Sequence, residues 1–175
     1  MMEINKKDLK ILSMNFRRIA SRLINCNYDT GINLLAKFLS FIDKEEIISE
    51  FVMEYVNADD FREVGRGESF SSMGESEQEE ISFTYQYLKY CSKNFDDYYV
   101  DMALDYGDNS DEAIREFNNR IILPFVNYIE GYLTEIGIKM GYDEDTKFVI
   151  HINGGNAQVN VADGHATVTA QQLRD

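Results

Sequence analysis

The chain has 175 residues, a net charge of −14 and 44% hydrophobic residues, which suits one domain with a core and excludes a disordered tail. No apolar run reaches the about 20 residues of a transmembrane helix, and the first ten residues lack the apolar stretch of a signal peptide. We therefore expect a cytoplasmic protein without membrane association, in which Cys26 and Cys91 stay reduced.

The charge is distributed unevenly along the chain. Residues 1–22 carry six Lys and Arg against Glu3 and Asp8, and residues 147–175 are neutral, so residues 23–146 have a net charge of −18. A body this acidic repels nucleic acid, and we expect it not to bind nucleic acid directly. It favours a basic partner, although the acids also fit a solvated helix surface.

Helical spacing of apolar residues predicts a mainly α, bundle-like body over residues 1–146. The first helix has an apolar stripe that includes Leu9, Phe16 and Leu23. The predicted N-caps are Asp43, Ser76 in a capping box with Glu79, and Ser110. A short helix is predicted at about residues 97–106, a kink at residues 120–124 beside Pro124, a left-handed helix end at Gly141, and a mobile loop over residues 57–75.

One face of the first helix is basic. It carries the cations Lys6, Lys7, Lys10, Arg17, Arg18 and Arg22, with Ile11 and Met14 on the same side. The candidate contact residues among them are Lys7, Lys10, Arg18 and Arg22. Such a face could contact phosphate, lipid headgroups or an acidic protein. The cations could equally pair with the acidic part of the same chain.

After Gly141 the apolar period changes from 3.6 to 2, which predicts a three-stranded antiparallel β meander within residues 147–171. Two-residue turns are expected at residues 154–155 and 163–164. The registers that these turns impose agree, and both place one set of apolar residues on a single face. The central members of this set are Phe148, Ile150, Ile152, Val159, Val161 and Val168.

The apolar face of so small a sheet needs a cover. It can pack on the helical body of its own chain, or it can meet a second copy. The outer strands, residues 148–152 and 165–170, contain neither proline nor Asp, Glu, Lys or Arg, and an unprotected edge of this kind is a template for another strand. We therefore predict a homo-oligomer with the meander as the interface.

Residues 153–171 read NGGNAQVNVADGHATVTAQ. This segment resembles the G-x-V-N-I-A-x-x-x-A-T-I-x-A tails of uncharacterised bacterial proteins, some of them encoded near phage-defence genes. It also resembles, more distantly, the bacterial amyloid-signalling motifs related to the receptor-interacting-protein homotypic motif. That resemblance implies amide ladders in a stacked assembly, but Asp163 and His165 would stack like charges, which favours a closed oligomer.

No enzyme signature and no cofactor site is predicted. A phosphate-binding glycine loop is absent, and the only histidines, His151 and His165, lie in the tail. Asp97, Asp101 and Asp105 are spaced by four residues, so a single helix face could carry three carboxylates suited to a hard metal ion. The same spacing is typical of a solvated acidic face.

These observations favour a non-enzymatic interaction protein that self-associates through its C-terminal meander, with an unidentified protein partner and a place in a bacterial defence system. One alternative is an acidic mimic of nucleic acid that inhibits a DNA- or RNA-binding protein. A second alternative is a metal-dependent hydrolase that uses the Asp97, Asp101 and Asp105 cluster.

Overall fold

A computed structural model describes residues 4–54 and 76–141 of the chain. Within these ranges 83% of the residues are helical, and no strand occurs. The mainly α prediction is confirmed for this part of the chain. The predicted meander, its interface residues from Phe148 to Val168 and the predicted loop at residues 57–75 lie outside the described residues.

Six α-helices form the described body. They are α1 (Lys6–Ile24), α2 (Gly31–Lys44), α3 (Glu46–Val52), α4 (Glu77–Asn94), α5 (Ser110–Phe117) and α6 (Leu123–Lys139). A π-helical turn, π1 (Tyr99–Ala103), and a 3₁₀ turn (Leu104–Tyr106) lie between α4 and α5. A second π-helical turn, π2 (Asn118–Ile122), joins α5 to α6. None of the helices in residues 4–54 and 76–141 combines the length and the apolar composition that a membrane span requires.

Phenylalanine rings from neighbouring helices build the core. The ring centroid of Phe16 in α1 lies 5.8 Å from that of Phe38 in α2, and Phe38 lies 6.2 Å from Phe125 in α6. All three side chains are fully buried, and each contributes about 1.5–3 kcal/mol by leaving water. Phe83 of α4 is buried in the same cluster, so α1, α2, α4 and α6 share one core.

The predicted helix boundaries are partly confirmed. The Ser76 hydroxyl accepts a hydrogen bond from the Glu79 amide at 3.3 Å, as predicted, and Gly141 has a left-handed φ of 74°. The prediction for Ser110 is wrong by one residue, because the Asn109 side chain accepts the Glu112 amide at 3.1 Å and Ser110 is the first helical residue. An amide oxygen one residue earlier suits the extended cap geometry equally well.

The prediction that Asp43 caps a third helix is also wrong. Asp43 lies in the last turn of α2, and α3 begins after Glu45. The Asp43 carboxylate accepts hydrogen bonds from the Tyr85 hydroxyl and the Lys89 ammonium group of α4. It therefore ties α2 to α4, a long-range role that overrides its local capping preference.

The helix interruption predicted beside Pro124 takes the form of π2. Pro124 lies at the start of α6, directly after the π-helical turn. Proline has no amide hydrogen and its ring crowds the preceding turn, and a wider π turn accommodates both defects. The turn also holds the buried side chain of Asn118, which hydrogen-bonds to the end of α1.

Candidate interaction surfaces

Helix α1 presents a mixed basic and apolar surface to solvent. Lys7, Ile11, Met14, Arg18 and Arg22 follow each other at intervals of four, three, four and four residues, which places them on one side of the helix. Lys10 lies beside them, and we call these six residues the α1 outer face. Opposite them lie Leu9, Phe16, Leu23 and the other buried residues of α1.

The apolar centre of this face is open to solvent. The side chains of Ile11 and Met14 are 46% and 57% exposed. Lys7, Lys10, Arg18 and Arg22 around them are also exposed. Among the ion pairs of residues 4–54 and 76–141, none involves these four cations. The α1 outer face thus combines two uncovered apolar side chains with four cations that no described carboxylate neutralises.

The other two cations of α1 fasten the helix to α6. The Arg17 Nε donates to both carboxylate oxygens of Glu130, at 2.8 and 3.0 Å. The Lys6 Nζ donates to the carbonyl oxygen of Gly141 at 3.1 Å. Because the start of α1 meets the end of α6, the two helices are antiparallel. Arg17 and Lys6 are therefore structural, and the outer face is what remains for contact.

The Asp97, Asp101 and Asp105 spacing does not produce a single helix face. Asp97 precedes π1, Asp101 lies inside it and Asp105 lies in the 3₁₀ turn, so the helix predicted at about residues 97–106 is present in a π-helical and 3₁₀ form. No group of three or more His, Cys, Asp or Glu side chains in the described part of the chain is arranged to hold a metal ion. Val100 and Leu104 lie between these acids, and backbone geometry rather than an α-helical period sets the positions of all five residues.

Two of these carboxylates bind backbone amides. Asp97 Oδ1 accepts from the amides of Tyr99 and Val100 at 2.9 and 2.8 Å. Its Oδ2 accepts from the Tyr28 hydroxyl at 2.9 Å, and Asp101 Oδ2 accepts from the Asp97 amide at 3.0 Å. The amide of Val100, more than any other group, lowers the pKa of Asp97. Asp97 thus binds the first two amides of π1, and Asp101 within the turn reaches back to the Asp97 amide.

The same segment exposes two apolar side chains. Val100 is 44% exposed and Leu104 is 39% exposed. We call Val100 and Leu104, with Asp97, Asp101 and Asp105, the acidic patch. Sequence reasoning missed Val100 and Leu104, because apolar residues four apart usually form the buried stripe of an α-helix. Their isolation among four aspartates, Asp96 included, is the one signal that could have revealed them.

Neither thiol is an activated nucleophile. Burial raises the pKa of Cys91 to about 12, and burial also raises the pKa of Cys26 despite a hydrogen bond from Asn118. A protonated thiol is a poor nucleophile at neutral pH. Cys91 therefore acts as a small apolar side chain of the core, and Cys26 as one packed against it.

Comparison with known proteins leaves these surfaces to be interpreted from their own chemistry. No protein-family model, no curated protein and no solved structure matches this chain.

Proposed function

We propose that this chain is a non-enzymatic interaction protein that self-associates through its C-terminal tail and offers the α1 outer face as a second contact surface. The observation that carries the proposal is the exposure of Ile11 and Met14 between two exposed cations on each side along α1. Protein interfaces have this composition, with apolar side chains at the centre and charged groups at the rim.

The energetics of the face support a role in binding. Covering the exposed parts of Ile11 and Met14 releases about 25 cal/mol for each Å² of apolar surface removed from water. The surrounding cations add little affinity while they remain exposed, but they exclude cationic partners and speed the encounter with an anionic surface. The face therefore selects an acidic partner that carries a small apolar centre of its own.

The tail supports self-association through its sequence. It is neutral beside a strongly acidic body, and like-charged bodies meet most easily through a neutral segment. The agreement of its two predicted strand registers gives it an apolar face that needs a cover. Its resemblance to tails encoded near phage-defence genes supports a place for the protein in a bacterial defence system.

A substitution at the centre of the predicted apolar face tests the tail. In the full chain, Val159→Asp buries an unpaired carboxylate in the interface, and Asn160→Asp introduces the same charge on the opposite face. Sedimentation velocity should show a smaller species for Val159→Asp and an unchanged species for Asn160→Asp, with equal helical circular dichroism. A wild-type chain that is monomeric at high concentration, or a loss of thermal stability at unchanged mass, would overturn self-association through the tail.

The charge of residues 76–141 favours a second candidate function. They hold thirteen Asp and Glu against five Lys and Arg. An inhibitor of a nucleic-acid-binding protein needs such an excess of negative charge in order to mimic the phosphate backbone. A mimic must compete with duplex DNA or RNA for its partner. The test is retention of a basic binding protein on the immobilised chain, with release by added duplex and by about 0.5 M salt. Retention that the duplex leaves unchanged would exclude the mimic.

A further inference from the structure

The charge balance of the described body differs between its N-terminal and C-terminal halves. Residues 6–44, which include α1 and α2, hold eight Lys and Arg against Asp8, Asp29 and Asp43. Residues 76–141 have the opposite balance, with an excess of eight acidic residues. Each half also exposes a pair of apolar side chains, Ile11 with Met14 in the first and Val100 with Leu104 in the second. Residues 45–54 add Glu45, Glu46, Glu50 and Glu54, so the cationic excess of the described residues is concentrated in α1, which holds six Lys and Arg against Asp8.

We propose that the α1 outer face of one copy binds the acidic patch of a second copy. The two surfaces match in composition, because each has two exposed apolar side chains about one helical turn apart within a set of charges of one sign. The signs are opposite, with the exposed Lys7, Lys10, Arg18 and Arg22 on one side and, on the other, the exposed Asp105 with the half-buried Asp97 and Asp101. This contact goes beyond the tail interface and does not depend on it.

The opposite charges of the two surfaces do not pair with each other inside one copy. No ion pair in residues 4–54 and 76–141 joins a cation of the α1 outer face to an aspartate of the acidic patch. The patch lies beside the α1–α2 connection, where the Tyr28 hydroxyl donates to the Asp97 carboxylate at 2.9 Å. The ring centroids of Tyr28 and Tyr99 are 6.3 Å apart in an edge-on arrangement. The outer face runs along α1, so one copy keeps both surfaces available to neighbours.

A second copy fits the α1 outer face better than the other anionic occupants do. A nucleic-acid backbone would use the cations and leave Ile11 and Met14 uncovered, and a net charge of −14 opposes its approach. A lipid surface is bound by helices with a broad apolar face that often includes Trp or Phe, whereas this face exposes one Ile and one Met. The acidic patch supplies both the negative charge and the apolar centre.

The contact joins two different surfaces, so it is heterologous. Each copy in such a contact keeps one surface free, and association continues beyond the dimer into a ring or an open filament. At physiological ionic strength the Debye length is about 8 Å, so salt screens the repulsion between charges of the two acidic bodies that lie farther apart than this. The opposite charges in the contact lie closer together and still attract each other. The association should therefore weaken as salt is added.

Complementary variants test the contact. All are made in the full chain with Val159→Asp as background, so that the tail interface does not contribute. The face variant carries Lys10→Glu and Arg18→Glu, and the patch variant carries Leu104→Lys and Asp105→Lys. The control carries Lys44→Glu and Lys93→Glu, two exposed cations outside the face that give the same change in charge as the face variant. Equal helical circular dichroism checks that all variants fold.

We expect the background protein to form concentration-dependent species larger than a dimer in sedimentation velocity, and about 0.5 M salt to shrink them. The face variant and the patch variant should each be monomeric, and the control should associate like the background. An equimolar mixture of the face and patch variants should form a dimer and nothing larger, because only one intact pair of surfaces remains. A monomeric background, a mixture that stays monomeric, or a control that also dissociates would overturn the proposal.

Discussion

The hydroxyl group of Tyr98 donates a hydrogen bond to Asn118 Oδ1 at 2.6 Å, and both side chains are buried. Asn118 Nδ2 in turn donates to the carbonyl oxygens of Ile24 and Leu23, at 3.1 and 3.4 Å. These carbonyls belong to the last turn of α1, and the Cys26 amide also donates to the Leu23 carbonyl, at 3.1 Å. Tyr98, directly before π1, and Asn118, the first residue of π2, thus meet at the end of α1, where Asn118 binds the α1 carbonyl groups from inside the core.

Replacing Asn118 by leucine should destabilise the fold strongly. The change keeps a similar volume but leaves the Tyr98 hydroxyl and the Ile24 carbonyl without this partner in a buried site. Each lost partner costs about 1–3 kcal/mol, so we expect the free energy of unfolding to fall by about 2–4 kcal/mol. Urea unfolding followed by circular dichroism measures it. Asn127→Ala, at an exposed position of α6, is the control and should change stability by less than about 0.5 kcal/mol.

Two glycine-to-alanine substitutions should have opposite effects. A Cβ added at Gly31 would lie 2.4 Å from Cγ of the buried Tyr98, and overpacking of this kind costs about 1–3 kcal/mol. A Cβ added at Gly131 in α6 meets no atom within 4 Å, and alanine there should stabilise the helix by about 0.5–1 kcal/mol. Thermal unfolding of both variants provides the measurement. Equal shifts in the melting temperature would contradict the close packing of Gly31 against Tyr98.

The sequence predicts the parts of this fold that depend on local periodicity. Leu9, Phe16 and Leu23 are buried as the 3.6-residue pattern of α1 indicated, and Lys7 and Arg18 are exposed on the opposite side. That pattern is visible in the sequence because one side of an amphipathic helix faces the same core along its whole length. The positions of the basic face were therefore predictable from sequence, whereas its function stays a proposal.

Features that depend on distant partners were not predictable. Arg17 looks like another member of the basic face, and only Glu130, 113 residues away, shows that it is structural. Asp43 has the local features of an N-cap, but Tyr85 and Lys89 of α4 decide its role. Val100 lies in π1 and Leu104 in the following 3₁₀ turn, and this irregular helical geometry has no local sequence signal of its own.

The Arg17–Glu130 pair should show how a largely buried ion pair behaves when it is broken. Burial raises the pKa of Glu130, and the Arg17 guanidinium offsets this only in part. Arg17→Met removes the guanidinium and should cost about 2–3 kcal/mol at pH 7, whereas the double variant with Glu130→Met should recover most of that loss. The pKa of Glu130 is already raised in the folded wild type and should rise further without the Arg17 guanidinium, so the cost of Arg17→Met should grow as pH rises through the raised pKa of Glu130 in the folded wild type. A cost that is equal at pH 3.5 and pH 7 would contradict this view.

The contacts of Asp43 should contribute a component of stability that disappears in acid. Burial raises the pKa of this carboxyl group, but the hydrogen bonds from Lys89 and Tyr85 outweigh burial and leave the pKa lowered. A carboxyl group whose pKa is lowered by folding stabilises the folded state above its unfolded pKa of about 3.9, and it loses that contribution as pH falls through the folded pKa. Because the Asp43 side chain is 38% exposed, the contribution should stay below about 1 kcal/mol.

The difference in unfolding free energy between wild type and Asp43→Asn should therefore be constant from about pH 5 to 8 and shrink below about pH 4. Lys89→Met alone should lose part of the same acid-sensitive stability. Adding Asp43→Asn to Lys89→Met should cause little further loss. A difference that persists unchanged to about pH 2 would show that the carboxylate form of Asp43 does not stabilise the junction between α2 and α4.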